Sequence, residues 1–203
     1  MQRVKICGLI RIEDVLTVNE LMPDYAGFVF AKGKHQLTLK TAISLCEKLD
    51  SKIEKVGVFV NEEGKKIIEI INECHLDIVQ LCGDEGQEMI DDIKTKAKVE
   101  VWKAIKVQDK ADLLKMNSIT ADAFLLDTYV RGQYGGSGQC FDWDLAKEAK
   151  GRIILAGGLT PENVAKAVRT VNPYAVDVSS GVETKGAKDY NKIKAFIANI
   201  RRI

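Results

Sequence analysis

Eight short apolar runs recur along the chain, about 20–30 residues apart, and they restrict its fold more than any other feature. They occupy residues 4–7, 26–30, 56–60, 78–81, 101–105, 123–126, 153–156 and 175–178. Most are unbroken rather than alternating, the pattern of strands buried on both faces, and hence of a parallel sheet. Between them lie polar segments with one apolar face at helical spacing: Ile67, Ile70, Ile71 and Cys74; Val164, Ala167, Val168 and Val171; Tyr190, Ile193, Ile197 and Ile200. Thr160-Pro161 predicts a helix start, with threonine as the cap and proline where a missing N–H costs nothing. Residues 110–116 form the least regular helical segment. Strand and helix alternate with no linker or second composition. The expectation is therefore an α/β chain folded over residues 1–203 as one (βα)8 TIM barrel. A doubly wound open sheet is the competing architecture, and the first strand lacks the G-x-G-x-x-G turn of its dinucleotide-binding form.

The chain has 203 residues, 46% of them hydrophobic, which is ample for one large core. Lys+Arg 30 against Asp+Glu 29 leaves a net charge of +1, so no field draws in nucleic acid or a membrane surface, and a small ligand is the expected partner. The opening residues, Met1 to Ile6, carry no secretory apolar stretch, and no run is long enough to span a bilayer. A soluble, cytoplasmic protein is expected. Five scattered cysteines (Cys7, Cys46, Cys74, Cys82, Cys140) and two histidines (His35, His75) form no metal-ligand spacing, so a reducing compartment, no metal and no cofactor are expected.

In a barrel, chemistry sits where strands end and the following loops begin. Two compact glycine turns close the last two strands, Ala156-Gly157-Gly158-Leu159 and Val178-Ser179-Ser180-Gly181-Val182. Their backbone N–H groups can converge on an anion, so Gly157, Gly158, Ser180 and Gly181 are the candidate phosphate grip; the plainer reading is that glycine simply permits a tight turn. Asp127 ends the apolar run Phe124-Leu125-Leu126, where ionisation is costly and a raised pKa would suit a general acid; otherwise it caps a loop. Cys7 ends the first run beside Gly8 and is either functional or a small buried hydrophobe. Gly135, Gly136, Ser137 and Gly138 make a loop able to cover a ligand, or an ordinary surface loop. Trp102 and Trp143 read as packing residues, and Cys46 and Cys74 as structural.

Seven blocks in order along almost the whole chain carry a family resemblance. They are Val4-Lys5-Ile6-Cys7-Gly8, Gly27-Phe28-Val29-Phe30, Val56-Gly57-Val58-Phe59-Val60-Asn61, and Val79-Gln80-Leu81 with Gly83-Asp84-Glu85. Then follow Leu126-Asp127 with Gly135-Gly136-Ser137-Gly138 and Phe141-Asp142-Trp143, Gly157-Gly158-Leu159 with Pro161-Glu162-Asn163-Val164, and the run from Val176 to Glu183. Together they resemble phosphoribosylanthranilate isomerase. The resemblance implies an Amadori rearrangement of N-(5-phosphoribosyl)anthranilate in tryptophan biosynthesis, with Asp127 as general acid on the ring oxygen, Cys7 as general base at C2′, and the glycine turns gripping the phosphate. Acid and base would then face each other across the barrel mouth, from strands 1 and 6. The chain departs from the family at His35, where an arginine usually contacts the anthranilate carboxylate; Lys34 or a protonated His35 is the expected substitute. Cys82 stands in place of a usual histidine, and Gln139-Cys140 in place of Lys-Thr. Two alternatives remain: a related aminated ribose phosphate isomerase, whose base is an aspartate where Cys7 stands, and a non-catalytic phosphate-binding barrel. Protein partners and oligomeric state are not legible in the sequence.

Overall fold

Each apolar run becomes one strand of a closed parallel barrel whose strands follow chain order. The computed structural model describes residues 2–128 and 142–203. The strands are β1 (Arg3–Cys7), β2 (Tyr25–Val29), β3 (Glu54–Phe59), β4 (Ile78–Leu81), β5 (Glu100–Val107), β6 (Ala123–Thr128), β7 (Ile153–Leu155) and β8 (Ala175–Val178). β8 returns to β1 in parallel, with Arg3 opposite Ala175 and Lys5 opposite Asp177. The helices are α1 (Ile12–Leu21), α2 (Leu39–Cys46), α3 (Gly64–Cys74), α4 (Gln87–Lys96), α5 (Lys110–Leu114), α6 (Trp143–Ala146), α7 (Val164–Val171) and α8 (Tyr190–Arg201). None of the described helices is long and apolar enough to cross a membrane.

The runs do not alternate between apolar and polar because each strand feeds two cores. Outward residues such as Ile6, Phe28, Val79 and Leu126 pack under the helices together with Ile67, Val168 and Ile197. Inward residues Tyr25, Val56, Ile78, Trp102, Leu125 and Ile154 fill the barrel itself, with Cys7 at their upper edge. Each fully buried aliphatic side chain contributes roughly 1.5–3 kcal/mol. The Tyr25 and Trp102 rings meet edge to face at 5.0 Å, deep in the barrel. Below them charges plug the N-terminal end: Arg3 donates to the Tyr25 hydroxyl at 2.6 Å, and Arg152 pairs with Glu100 at 2.9 Å. The C-terminal rim is left as the face on which chemistry can be built.

Three details differ from expectation. Helix α7 begins at Val164 rather than after Thr160, because Asn163 ties the intervening turn back: its Oδ1 accepts from the Thr160 N–H at 2.8 Å and its Nδ2 donates to the Gly158 carbonyl at 2.9 Å. α5 buries none of its residues and tightens into a 3-10 turn over Lys115–Ser118, which accounts for its irregular pattern. After β8 a short hairpin appears, β9 (Glu183–Thr184) with β10 (Ala187–Lys188). Its two-residue turn, Lys185-Gly186, has positive φ at both positions, as a type I′ hairpin turn requires.

Candidate active site

Side chains two apart on a strand share a face, so Lys5 and Cys7 both point into the barrel from β1. Lys5 is 0% exposed. It survives there because Asp177, its register partner on β8, accepts a hydrogen bond from Nζ at 3.0 Å. The same ammonium is the charge that acts most strongly on Cys7, two positions along the strand and on the same face. Cys7 lies over Gly27 of β2, where any Cβ would come within 2.8 Å of the sulfur, so glycine there makes room for the thiol. Burial, with Asp177 assisting, pushes the Cys7 thiol up against the opposing pull of Lys5 and Lys188.

Asp127 follows the inward residues Ala123 and Leu125 on β6 and so also faces the mouth. Its Oδ1 accepts from the Thr128 N–H at 2.8 Å. Burial, with Asp177 adding to it, raises its carboxyl to about 6, although the Thr128 bond and the lysines Lys106 and Lys5 pull the other way. Lys106 is its register partner on β5. Between the two ends sits Cys82, which feels the charge of both Cys7 and Asp127; burial pushes its thiol up to about 12. Cys82 accepts from Gln80 Nε2 at 3.1 Å, while Gln80 Oε1 is buried with no partner. A cavity of about 440 Å³ opens beside Cys82, walled by Lys103, Lys106, Lys115 and Ile119.

The two glycine turns interlock on the other side of the mouth. A Cβ at Gly181 would stand 1.8 Å from the Leu159 carbonyl oxygen, and one at Gly157, whose φ is +83°, would stand 2.3 Å from Thr128 Oγ1 and 2.9 Å from Asp127 Oδ1. Only glycine allows this approach, and it seats the β7 turn directly against the acid. Ser180 and Gly181 open the 3-10 turn Ser180–Val182 that leads into the hairpin.

That hairpin carries Glu183, on which two lysines and a histidine converge. Lys34 reaches Oε2 at 2.7 Å, Lys188 reaches Oε1 at 2.7 Å, and His35 Nε2 stands 2.8 Å from Oε1 in a direction poor for a hydrogen bond. Burial works against the Glu183 carboxylate, but Lys188 and Lys34 outweigh it and hold the group below its ordinary range. Burial, reinforced by Lys188, lowers the His35 imidazole, so it is neutral near pH 7. Its ring packs on the Cα face of Gly8, next to Cys7.

Cys7, Asp127, the turn residues Gly157, Gly158, Ser180 and Gly181, and the pair Lys34 and His35 thus gather on one rim. Gly135, Gly136, Ser137 and Gly138 lie outside the described residues. Trp102 is wholly buried below the rim, and Cys46 and Cys74 are buried at the ends of α2 and α3. Lys5, Asp177, Gln80, Lys106, Glu183 and Lys188 were not singled out from the sequence. The signal that could have found Lys5 and Asp177 is the one that marks Asp127: a charge at an inward position of an otherwise apolar strand.

The model of the N-(5'phosphoribosyl)anthranilate (PRA) isomerase family matches residues 4–199. The N-(5'-phosphoribosyl)anthranilate isomerase of Thermoanaerobacter sp. (strain X514) is 50% identical across 100% of both chains, and that of Clostridium acetobutylicum is 48% identical across 100% of this chain and 99% of the other. The crystal structure of phosphoribosyl anthranilate isomerase from Thermotoga maritima superposes with a TM-score of 0.89 at 38% identity, covering 100% of each chain. A phosphoribosyl anthranilate isomerase in complex with reduced 1-(o-carboxyphenylamino)-1-deoxyribulose 5-phosphate superposes with a TM-score of 0.85 at 37% identity, again covering 100% of each chain.

Proposed function

This chain belongs to the N-(5'-phosphoribosyl)anthranilate isomerase family and performs that family's isomerisation in tryptophan biosynthesis; we propose that Asp127 and Cys7 move its protons. The reaction is an internal redox exchange in which C1′ of the ribose is reduced as C2′ is oxidised. Asp127 donates to the furanose ring oxygen as the C1′–O bond breaks, leaving a Schiff base with the anthranilate nitrogen. The Cys7 thiolate then takes the proton from C2′, giving an enolamine. Protonation at C1′ and loss of the C2′ hydroxyl proton complete 1-(2-carboxyphenylamino)-1-deoxyribulose 5-phosphate.

The observation that carries this reading is a carboxyl raised to about 6 on β6, facing a buried thiol on β1, with the β7 glycine turn packed against the acid. A group with that pKa is protonated often enough near neutrality to act as an acid. The turns at Gly157-Gly158 and Ser180-Gly181 hold the phosphate beside it through backbone N–H groups. The anthranilate carboxylate then lies toward Lys34, which supplies the charge that the neutral His35 does not. The described cysteines are free thiols, in keeping with a cytoplasmic site of action.

Turnover of freshly generated phosphoribosylanthranilate, followed by its fluorescence, tests the assignment in wild type, Cys7→Ala and Asp127→Ala, with circular dichroism confirming folding. Turnover by wild type alone supports both proton-transfer roles. A folded wild type that binds a product analogue without turning substrate over would leave a phosphate-binding barrel instead.

A further inference from the structure

We propose that Lys5 is a positioning residue for the isomerisation: its buried ammonium, anchored on Asp177, is the counter-charge against which Cys7 forms its thiolate. The inference rests on the reading of Cys7 as the base and adds a residue to it. Its starting point is an oddity of the core. A lysine with no exposed surface stands in a barrel otherwise filled by Tyr25, Val56, Ile78, Trp102 and Leu125. An ion pair in such a place seldom adds stability over an apolar pair of the same volume. The Lys5–Asp177 pair at 3.0 Å therefore calls for another role, and its ammonium shares the inward face of β1 with Cys7, two positions on.

The need for a counter-charge follows from the burial of Cys7, which disfavours its ionised form. The groups that face the thiol are Lys5 on its own strand, Asp177 on β8, Lys188 on the hairpin and Cys82 at the end of β4. Lys188 is spent on Glu183 and the Ser179 carbonyl. Cys82 carries no charge near neutrality, because its thiol is pushed up to about 12. Lys5 is the cation that acts most strongly on the thiol, from the same inward face of β1. Asp177 has two effects: it holds Lys5 in place, and its own charge tempers the pull of Lys5 on the thiol.

This arrangement makes two substitutions act in opposite directions. Lys5→Met keeps most of the length of the side chain and removes its charge; Asp177→Asn keeps the shape and leaves the ammonium without its carboxylate. The ionisation of Cys7 is read without turnover, from its peptide-resolved alkylation rate by iodoacetamide against pH. Lys5→Met is expected to move the midpoint up by about one pH unit or more, and Asp177→Asn to move it down, as nearby charges of opposite sign do. At a fixed pH near neutrality Lys5→Met should also lower kcat about tenfold or more, with KM little changed. If the pair is only a structural clip, both substitutions lower thermal stability and neither moves the midpoint, and the proposal falls. Should Lys5→Met fail to fold, the downward shift in Asp177→Asn decides the matter alone. A midpoint that moves while kcat does not would keep the Lys5–Cys7 coupling and overturn Cys7 as the base. Turnover by a folded Cys7→Ala would overturn the base assignment separately.

Discussion

Asp127→Asn is expected to abolish turnover and, at neutral pH, to make the protein more stable. The carboxyl lies well above its ordinary 3.8, at about 6, chiefly because burial penalises its charge. Ionising it therefore costs more in the folded chain than in the unfolded one. The sign follows: wild type loses stability as pH rises from about 4 through about 6, and the loss is complete above that. From 3.8 to about 6, at about 1.4 kcal/mol per pH unit, the full cost is about 3 kcal/mol. Because Asp127 is partly open to solvent, that figure is an upper bound. Asparagine fits the same space, and its Oδ1 can still accept from the Thr128 N–H that now meets the carboxylate at 2.8 Å. For a chain of this size about 3 kcal/mol corresponds to roughly 6–12 °C in Tm. Thermal unfolding of both proteins across pH 4 to 8 should show curves that meet near pH 4 and separate through pH 6, with the variant above. Equal stability at pH 7, or a gap that persists undiminished at pH 4, would refute the argument that burial of this carboxylate sets its pKa.

Other outcomes follow from the same geometry. With Asp127 titrating near 6 and Cys7 above its ordinary range, the active form, acid protonated and thiol ionised, is a minority species. The kcat/KM profile should rise to about pH 6, stay level, and fall where Cys7 ionises; a profile that falls above pH 6 would contradict it. Gly181→Ala would drive a Cβ to 1.8 Å from the Leu159 carbonyl, prying the two turns apart, so KM should rise about tenfold or more and inhibition by inorganic phosphate should weaken. His35→Arg restores a permanent charge with a bidentate fork beside Glu183 and is expected to lower KM; an unchanged KM would count against a carboxylate site there. Trp102→Ala empties the barrel interior and should cost about 3–5 kcal/mol, read by denaturant unfolding.

Much of the architecture was legible in the chain alone. Eight apolar runs separated by amphipathic segments admit few folds other than a parallel barrel, because strands covered on both faces need helices outside and side chains within. The two chemical residues were legible for a similar reason: Asp127 interrupts an apolar strand, and Cys7 closes one beside a glycine. The paired glycine turns could be read as an anion grip because they end consecutive strands, which a parallel barrel makes neighbours. What tertiary structure decided is which groups stand beside them. Lys5 and Asp177 are 172 positions apart, and only closure of β8 onto β1 brings them to 3.0 Å. Glu183 gathers Lys34, His35 and Lys188 because a type I′ turn folds the chain back after β8, a turn too short to leave a hydrophobic period. Local pattern thus determined where strands end and which residues cap them. The pKa of each capping group was left to desolvation and to charges supplied from elsewhere in the chain, quantities that exist only once the barrel has closed.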